Sequence, residues 1–185
     1  MAESSFLNPA KLVHAAMVHE GMKVADFGAG SGFVARALGR AVGPGGVVWA
    51  VDQNRDLLPR IKNVAQGEGL KNIEVMQGDV SHLGGTHLPE NYFDMVFICN
   101  TLFAMECKGC VAGEAARVLK PGGKVALVDW AGTFGGLGPR EDHVVTQDQA
   151  REVFEQNGFV AGDALPAGAY HWGCILKKKS QGTKH

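Results

Sequence analysis

The stretch Val24-Ala25-Asp26-Phe27-Gly28-Ala29-Gly30-Ser31-Gly32-Phe33 decides the fold predicted for this chain. Its first four residues are mostly apolar and lie between glycines, which predicts a short buried strand. Val34, Leu38 and Val42 then recur four apart, which is helical spacing. Glycines between a strand and a helix permit positive φ and leave the backbone open to a ligand, and the helix N-terminus attracts an anionic group. The stretch therefore predicts a strand, a glycine turn with a ligand site, and a helix.

Two common nucleotide-binding motifs fit this turn poorly. A dinucleotide fingerprint, G-x-G-x-x-G/A, would place its third small residue at Phe33, where a bulky ring argues against close helix–strand packing. A phosphate-binding P-loop needs Gly-Lys followed by Ser or Thr, but Gly123-Lys124 is followed by valine. The turn therefore favours neither a pyrophosphate site nor nucleotide hydrolysis.

Strand-like and helix-like segments alternate along most of the chain. We predict strands at residues 22–27, 47–51, 73–77, 93–99 and 125–130 and helices at about residues 32–41, 57–67 and 111–119. A short helix begins at Asn8-Pro9 and stops at Gly21, and a capping box at Thr146-x-x-Gln149 starts another. The runs at residues 159–165 and 170–176 predict a closing antiparallel hairpin. Such alternation predicts a mostly parallel α/β sheet with helices on both faces.

Five motifs then occur in a fixed order: Asp26-x-Gly28-x-Gly30-x-Gly32, Val51-Asp52, Gln77-Gly78-Asp79, Phe93-Asp94-Met95-Val96 and Leu119-Lys120-Pro121-Gly122-Gly123. Together they resemble the class I S-adenosylmethionine-dependent methyltransferases, in particular the small single-domain quinone-biosynthesis type, over roughly residues 6–178. The resemblance implies a Rossmann-like seven-stranded sheet with a C-terminal antiparallel hairpin. It also implies S-adenosylmethionine as the cofactor and methyl transfer to a small-molecule or lipid-like acceptor.

Polar residues follow several predicted strands, and in open α/β sheets ligands bind at the carboxyl ends of the strands. The predicted cofactor-binding residues are Asp26, Gly28, Ala29, Gly30, Gly32, Phe33, Asp52, Gln53, Gly78, Asp79, Val80 and Asn100. The resemblance implies that Asp52 accepts hydrogen bonds from the ribose hydroxyls and Asp79 one from the adenine amino group. It assigns the glycine turn and the carbonyl of Asn100 to the methionine end.

Residues 131–145 form a long glycine-rich segment without periodicity, and loops of that length are usually functional or mobile. We predict a lid over the acceptor. A general base is needed only if the acceptor is protonated. The candidate catalytic residues are His143 and Asp129, with Tyr170 and His171 as further candidates near strand ends.

The composition indicates one globular domain, because the chain has 185 residues of which 45% are hydrophobic. We assign residues 1–178 to it, with residues 1–21 as an N-terminal helical cover and residues 179–185 as a disordered basic tail. The net charge of −1 does not favour nucleic acid as a partner. We expect a monomer or homodimer.

The N-terminus lacks a signal peptide and no apolar run reaches membrane-spanning length, so we expect a cytoplasmic protein with four reduced cysteines. Cys107 and Cys110 form a single C-x-x-C without a second pair, so we predict no metal site. Two alternative functions stay open: a non-catalytic module that binds S-adenosylmethionine, and, disfavoured by the turn, a nicotinamide-binding oxidoreductase.

Overall fold

Seven strands form one sheet in the spatial order β3-β2-β1-β4-β5-β7-β6 within residues 6–180, the part of the chain that the computed structural model describes. The strands are β1 (Lys23–Phe27), β2 (Val47–Asp52), β3 (Ile73–Gln77), β4 (Phe93–Cys99), β5 (Leu119–Trp130), β6 (Phe159–Ala164) and β7 (His171–Lys178). The first five strands pair in parallel, whereas β7 pairs antiparallel with both β5 and β6. The predicted fold class and the closing hairpin are therefore confirmed.

In the described part of the chain five α-helices surround the sheet: α1 (Pro9–Ala15), α2 (Phe33–Val42), α3 (Leu57–Gly67), α4 (Lys108–Val118) and α5 (Gln147–Gln156). They cover both faces, because one buried cluster joins the sheet to α4 and α5 and a second joins it to α1, α2 and α3. Strands alternate their side chains between these clusters: Leu127 belongs to the first and Val128 to the second.

The strand order reverses between β1 and β4. These two strands are paired in the sheet, although β2 and β3 lie between them in the chain. In open α/β sheets this reversal opens a crevice beyond the carboxyl ends of the strands. The glycine turn follows β1 and Asn100 follows β4, so the topology places them together at this crevice.

Most element boundaries lie within three residues of the predicted ones, and two differ by more. Strand β5 begins at Leu119 rather than at residue 125, and its pairing with β4 shifts register between Phe93 and Met95. Helix α4 ends at Val118, and Pro121 with the two glycines after it lies inside β5. Helix α1 ends at Ala15, well before Gly21, since Met17 takes a positive φ of 61°.

The terminal segments are described in part. Helix α1 is buried against the sheet through Leu12 and Val13, and the role of residues 1–21 as a cofactor cover stays a prediction, with residues 1–5 outside the described part. Of the predicted tail, residues 181–185 also lie outside it. Within residues 6–180 none of the helices has both the length and the apolar character needed to cross a membrane.

Candidate functional site

The glycine turn after β1 folds tightly against the end of β2. The backbone N–H groups of Gly28 and Ala29 both donate to the carbonyl of Val51, at 2.9 and 3.0 Å. Gly28 has φ of 73°, and a side chain there would overlap Thr101 Oγ1 and stand 2.8 Å from Thr101 Cγ2. Gly30 also has a positive φ, 53°, but a Cβ there would meet only the Gly28 carbonyl oxygen, at 4.0 Å. The turn thus needs glycine for its backbone at both positions and presents bare backbone to an open crevice.

A cavity of about 240 Å³, here called the smaller cavity, lies in front of this turn. Eight of the twelve predicted cofactor-binding residues line it: Gly28, Gly30, Asp52, Gln53, Gly78, Asp79, Val80 and Asn100. Three lining residues were not predicted: Thr101, Ala104 and Met105. They follow Asn100 directly, so the polar strand end was the available signal, but their spacing carries no pattern of its own. The structure brings the eight residues together, and their contact with a cofactor stays a prediction.

Asp52 connects the end of β2 to the glycine turn. Its Oδ2 accepts a hydrogen bond from the Gly30 N–H at 2.8 Å, and its Oδ1 accepts one from the Asn54 N–H at 2.9 Å. A carboxylate has about four lone-pair sites. Asp52 therefore retains acceptor capacity at the cavity wall while its orientation is fixed by two backbone donors.

Asp79 is held by the residues that follow it. Its Oδ1 accepts hydrogen bonds from the backbone N–H and the hydroxyl of Ser81, at 2.8 and 2.6 Å, and its Oδ2 lies 2.8 Å from His82 Nδ1. The hydrogen bonds from Ser81 lower the pKa of Asp79 below its ordinary value, and the contact with His82 adds to this. Asp79 therefore stands at the cavity as an ionised acceptor.

The loop that follows Asp79 is held against α4 by a buried ion pair between Glu114 and Arg117, which the sequence patterns did not reveal. Glu114 of α4 is fully buried and accepts hydrogen bonds from the Gly84 N–H at 2.6 Å and from the Thr86 hydroxyl. Arg117 Nη2 pairs with the same carboxylate at 2.7 Å. This network holds residues 84–86, in the loop between Asp79 and β4, against α4, and so it supports one wall of the smaller cavity.

Asn100 leaves one polar atom unused at the cavity. It has a positive φ of 52°, and its N–H donates to the carbonyl of Val128 at 2.9 Å. Its Oδ1 is buried and has no hydrogen-bond partner within the described part of the chain. A buried acceptor without a donor is costly, so a ligand with N–H groups would be favoured there.

The remaining four predicted residues support the turn and do not line the cavity: Asp26, Ala29, Gly32 and Phe33. Asp26 is buried in β1, and this burial raises its pKa to about 7, opposed by a hydrogen bond from the Ala35 backbone. The Phe33 ring is 63% exposed and stacks on Arg36. It does not lie between helix and strand, so this ring provides no packing evidence against a dinucleotide site.

A larger cavity of about 760 Å³ adjoins the smaller one, and Ala104 and Met105 line both. Its other lining residues come from the start of α4, the end of the long loop and one face of α5: Phe103, Glu106, Lys108, Asp142, His143, Val144, Val145, Gln149, Glu152, Val153 and Gln156. The helical contributors lie three or four residues apart, as expected for one face of a helix.

Comparison with known proteins shows which family has this arrangement. A family model described as "Methyltransferase domain" matches residues 18–178. The chain belongs to the methyltransferase domain family. This confirms the resemblance to class I methyltransferases that the five motifs indicated.

Relatives of this methyltransferase domain carry further names. The chain is 35% identical over 127 residues to the ubiquinone/menaquinone biosynthesis C-methyltransferase UbiE of Bordetella parapertussis, a match that covers 69% of this chain and 48% of that protein. The chain thus spans about half the length of this curated relative. It is similar in structure to a SAM-dependent methyltransferase from Aquifex aeolicus, with a TM-score of 0.84, 27% identity and coverage of 94% and 90% of the two chains.

The [4+2]-cyclase SpnF has the same fold, with a TM-score of 0.78 at 17% identity and coverage of 94% of this chain and 80% of that one. This likeness shows the fold alone, and the name of that protein is that of a cyclase. A methyltransferase fold therefore does not by itself specify methyl transfer.

The predicted catalytic residues of the methyltransferase domain occupy different environments. His143 is exposed, lies in a 3-10 helix (Glu141–His143) and lines the larger cavity, so its proposed role as a base stays a prediction. Asp129 is fully buried and lines neither cavity. Its two oxygens accept hydrogen bonds from the N–H groups of Trp130 and Phe103, at 2.8 and 3.0 Å. This geometry favours a supporting role for Asp129 over direct proton transfer.

The two further candidate bases, Tyr170 and His171, also lie away from both cavities. The His171 ring is buried against Trp130, with ring centroids 4.3 Å apart, and burial lowers its pKa. Tyr170 lies between the rings of Phe6 and Phe134, at 5.3 and 4.8 Å. These side chains pack in an aromatic cluster, which favours a structural role for both over proton transfer.

The long loop has more local structure than the sequence indicated. Phe134 and Leu137 form a β-bridge, and the Thr133 hydroxyl donates to the carbonyl of Pro139 at 2.6 Å. The Phe134 ring contacts Tyr170, whereas residues from Asp142 onwards line the larger cavity. Only the second half of the loop therefore borders this cavity, and its predicted motion as a lid stays a prediction.

The expectation of four reduced cysteines is wrong for two of them. Cys107 and Cys110 are joined by a disulfide at the start of α4, whereas Cys99 and Cys174 are free thiols. Residues 107 and 110 are about one helical turn apart at the N-terminus of α4, which brings their side chains close enough to bond. Within residues 6–180, histidine, cysteine and carboxylate side chains form no group that could hold a metal ion.

Proposed function

We propose that the chain binds S-adenosylmethionine in the smaller cavity and transfers its methyl group to a small-molecule acceptor in the larger cavity. The observation that carries this proposal is that the two cavities share Ala104 and Met105 as a common wall. One cavity is lined by eight of the residues predicted to bind the cofactor, and the other has the size of an ordinary ligand site.

The residues of the smaller cavity suit the chemical groups of this cofactor. Asp52 retains lone pairs for the ribose hydroxyls, and Asp79 is an ionised acceptor for the adenine amino group. The buried Oδ1 of Asn100 lacks a donor within the described residues, and the ammonium of the methionine end would supply one. When bound, the cofactor supplies a methyl group activated by a sulfonium.

The chain's own contribution is to align donor and acceptor and to shield them from water. Orientation alone can lower a barrier by several kcal/mol when the reacting atoms are held in line. Asp129 holds the Phe103 N–H and the Cys107 cap holds the start of α4, so both support residues on either side of the shared wall. Val144 and Val145 contribute apolar surface to the larger cavity. If the acceptor carries a proton, His143, which lines the larger cavity, is our candidate to accept it.

The acceptor itself is proposed only by class. The wall of the larger cavity combines apolar side chains such as Phe103, Val145 and Val153 with polar ones at its rim. This mixture suits a small molecule with a ring or an aliphatic portion, in keeping with the name of the quinone-biosynthesis relative. A cytoplasmic location and a monomeric or homodimeric state also stay proposals.

The experiment that tests the cofactor is calorimetric titration with S-adenosylhomocysteine and, separately, with NAD. We expect binding of the first alone. Asp52→Asn should lower the affinity by about tenfold or more, because one charge-assisted acceptor is lost. Asp56→Asn is the matched control, since Asp56 is exposed and lies outside the cavity. Preferential binding of NAD would instead support the oxidoreductase alternative.

A second measurement separates an enzyme from a binding module. The full chain is incubated with labelled S-adenosylmethionine and a panel of small phenols, quinols and amines, and transfer of the label is counted. Transfer that is lost in Asp52→Asn and retained in Asp56→Asn supports the enzyme. Binding of the cofactor without transfer to any acceptor, including a cell extract, would support the non-catalytic module.

A further inference from the structure

We propose that Cys107 and Cys110 form a thiol–disulfide exchange site whose oxidation state sets the wall shared by the two cavities. The exchange chemistry is independent of the proposed function, whereas its effect on turnover rests on that function. The reaction partner is a small thiol and its disulfide, such as reduced and oxidised glutathione.

Access distinguishes this pair from the other two cysteines. Cys107 is exposed and Cys110 is half-buried, so a small thiol can reach the bonded sulfurs from solvent. Cys174 is fully buried, and the Cys99 thiol is also enclosed, so that burial raises the pKa of both. Thiolates are the reactive species in exchange, so the bonded pair is the reactive position among the four cysteines.

The start of α4 favours the reduced form of Cys107 as a thiolate. Cys107 is the N-cap of this 11-residue helix, and its Sγ accepts a hydrogen bond from the Cys110 N–H at 3.2 Å. Unpaired N–H groups and the positive end of the helix dipole stabilise a negative sulfur at this position. The disulfide to Cys110 shows that a resolving cysteine lies within bonding distance of the Cys107 sulfur.

The exchange balances in two steps. A small thiolate attacks Cys107 Sγ, a mixed disulfide forms, and the bond to Cys110 breaks, leaving the Cys110 sulfur to take up a proton. A second small thiolate then attacks the sulfur of the first small thiol, releasing Cys107 as a thiolate. The protein disulfide gains two electrons, and the two small thiols lose them to become one disulfide. Oxidation of the pair by oxidised glutathione follows the same steps in reverse.

The pair adjoins the cavity wall without lining it. Glu106 and Lys108, on either side of Cys107, line the larger cavity, and Met105 lines both cavities. Lys108 Nζ donates to the carbonyl of Met105 at 2.9 Å, which closes residues 105–108 into a compact turn. The disulfide fastens this turn to the first turn of α4. Reduction removes that constraint, so residues 103–110 gain freedom at the boundary between the two cavities.

The role of a disulfide also depends on the redox state of the compartment that holds the protein. In compartments that keep thiols reduced, disulfides are mostly transient and serve catalysis or redox sensing. In the cytoplasmic location proposed above, a partly exposed C-x-x-C disulfide would therefore act as a redox sensor rather than as a structural cross-link.

The first test measures exchange directly on the full chain. The protein is equilibrated with glutathione buffers of increasing reduced fraction, alkylated under native conditions and analysed by peptide mass spectrometry. We expect the Cys107–Cys110 peptide to gain two alkyl groups as the buffer becomes reducing and to lose this reactivity when oxidised glutathione is restored. Buried Cys174 should stay unlabelled throughout and serves as the internal control.

Two results would overturn the exchange site. The pair could be alkylated even in oxidised glutathione, which would mean that it does not bond. Alternatively, it could resist reduction until the protein unfolds, which would make it a structural disulfide. Neither result depends on methyl transfer, so this test can fail while the proposed function stands.

The second test measures the coupling to the cavity wall by hydrogen exchange. We expect the amides of residues 103–110 to lose protection on reduction, while those of the glycine turn do not change. The double variant Cys107→Ser/Cys110→Ser should show the reduced pattern in both buffers, and Cys174→Ala should respond like the natural chain. Equal protection in the two states would refute the coupling. Where turnover is measurable, reduction should change the KM for the acceptor more than the affinity for S-adenosylhomocysteine, because more of residues 103–110 line the larger cavity than the smaller one.

Discussion

The backbone N–H of Phe103 donates a hydrogen bond to Asp129 Oδ2 at 3.0 Å, which ties the boundary between the two cavities to the end of β5. Removing this acceptor leaves buried N–H groups unpaired. We expect Asp129→Ala to lower the free energy of unfolding by about 1–3 kcal/mol, measured by denaturant titration. Asp129→Asn keeps one oxygen and should lose less. If Asp129→Ala is as stable as the natural chain, the carboxylate does not anchor this segment.

Close packing of the glycine turn on Thr101 predicts a coupled pair. Gly28→Ala adds a side chain at a positive φ, which costs about 1–2 kcal/mol, and also collides with Thr101. Thr101→Ala removes the colliding atoms but not the backbone strain. In a double-mutant cycle we therefore expect the second change to recover part of the stability and cofactor affinity lost in the first. Additive losses would show that the collision is relieved in some other way.

The buried ion pair under the Asp79 loop predicts an effect at a distance. Glu114→Ala removes the buried carboxylate that Arg117 and the Gly84 N–H share, and we expect a loss of stability on the order of 3 kcal/mol together with weaker cofactor binding. Glu90→Ala is the matched control, because Glu90 is mostly exposed and lies 3.9 Å from the same Arg117. That control should change stability by less than about 1 kcal/mol. A similar loss in both variants would contradict the specific role of Glu114.

The buried carboxyl of Asp26 predicts a pH dependence of stability. Burial raises its pKa from 3.8 to about 7 in the folded state, so the folded chain binds this proton more tightly than the unfolded chain. The resulting stabilisation is fully present below about pH 4 and is lost as pH rises to 7. Relative to Asp26→Asn, the natural chain should therefore lose up to about 1.4 kcal/mol per pH unit in this window.

Unfolding titrations at several pH values measure that difference. Comparing variants cancels the opposite pH dependence of Asp79, Asp94 and Glu114, whose pKa values are lowered. Asp56→Asn, in an exposed position, should run parallel to the natural chain. A constant gap between the natural chain and Asp26→Asn across this range would show that Asp26 does not titrate there.

The placement of His143 predicts how a base would differ from a packing residue. Once an acceptor is found, His143→Ala should reduce turnover more than cofactor affinity, and the defect should shrink as pH rises because the acceptor then loses its proton without help. His14→Ala, in an exposed position of α1, is the control for loss of an imidazole. A defect that is the same at every pH would assign His143 to covering the acceptor rather than to proton transfer.

The sequence alone determined the sheet and the location of the smaller cavity. Apolar runs that alternate with helical spacing require a parallel sheet, and in such a sheet the carboxyl ends of the strands meet at one edge. Asp52, Asp79 and Asn100 could therefore be placed together without knowing a single contact. The glycine turn was equally accessible, because a positive φ leaves a direct mark on residue choice.

Only the tertiary structure decided which partners the buried polar side chains bind, because those partners come from segments distant in the chain. Asp129 lies next to the end of β5, as a site residue would, but its carboxylate accepts the Phe103 N–H and lines neither cavity. Glu114 resembles any helical glutamate until Arg117 and the Gly84 loop surround it. Strand periodicity gives the face on which a side chain lies. Which partner satisfies that side chain depends on segments distant in the chain, and their approach leaves no local pattern in the sequence.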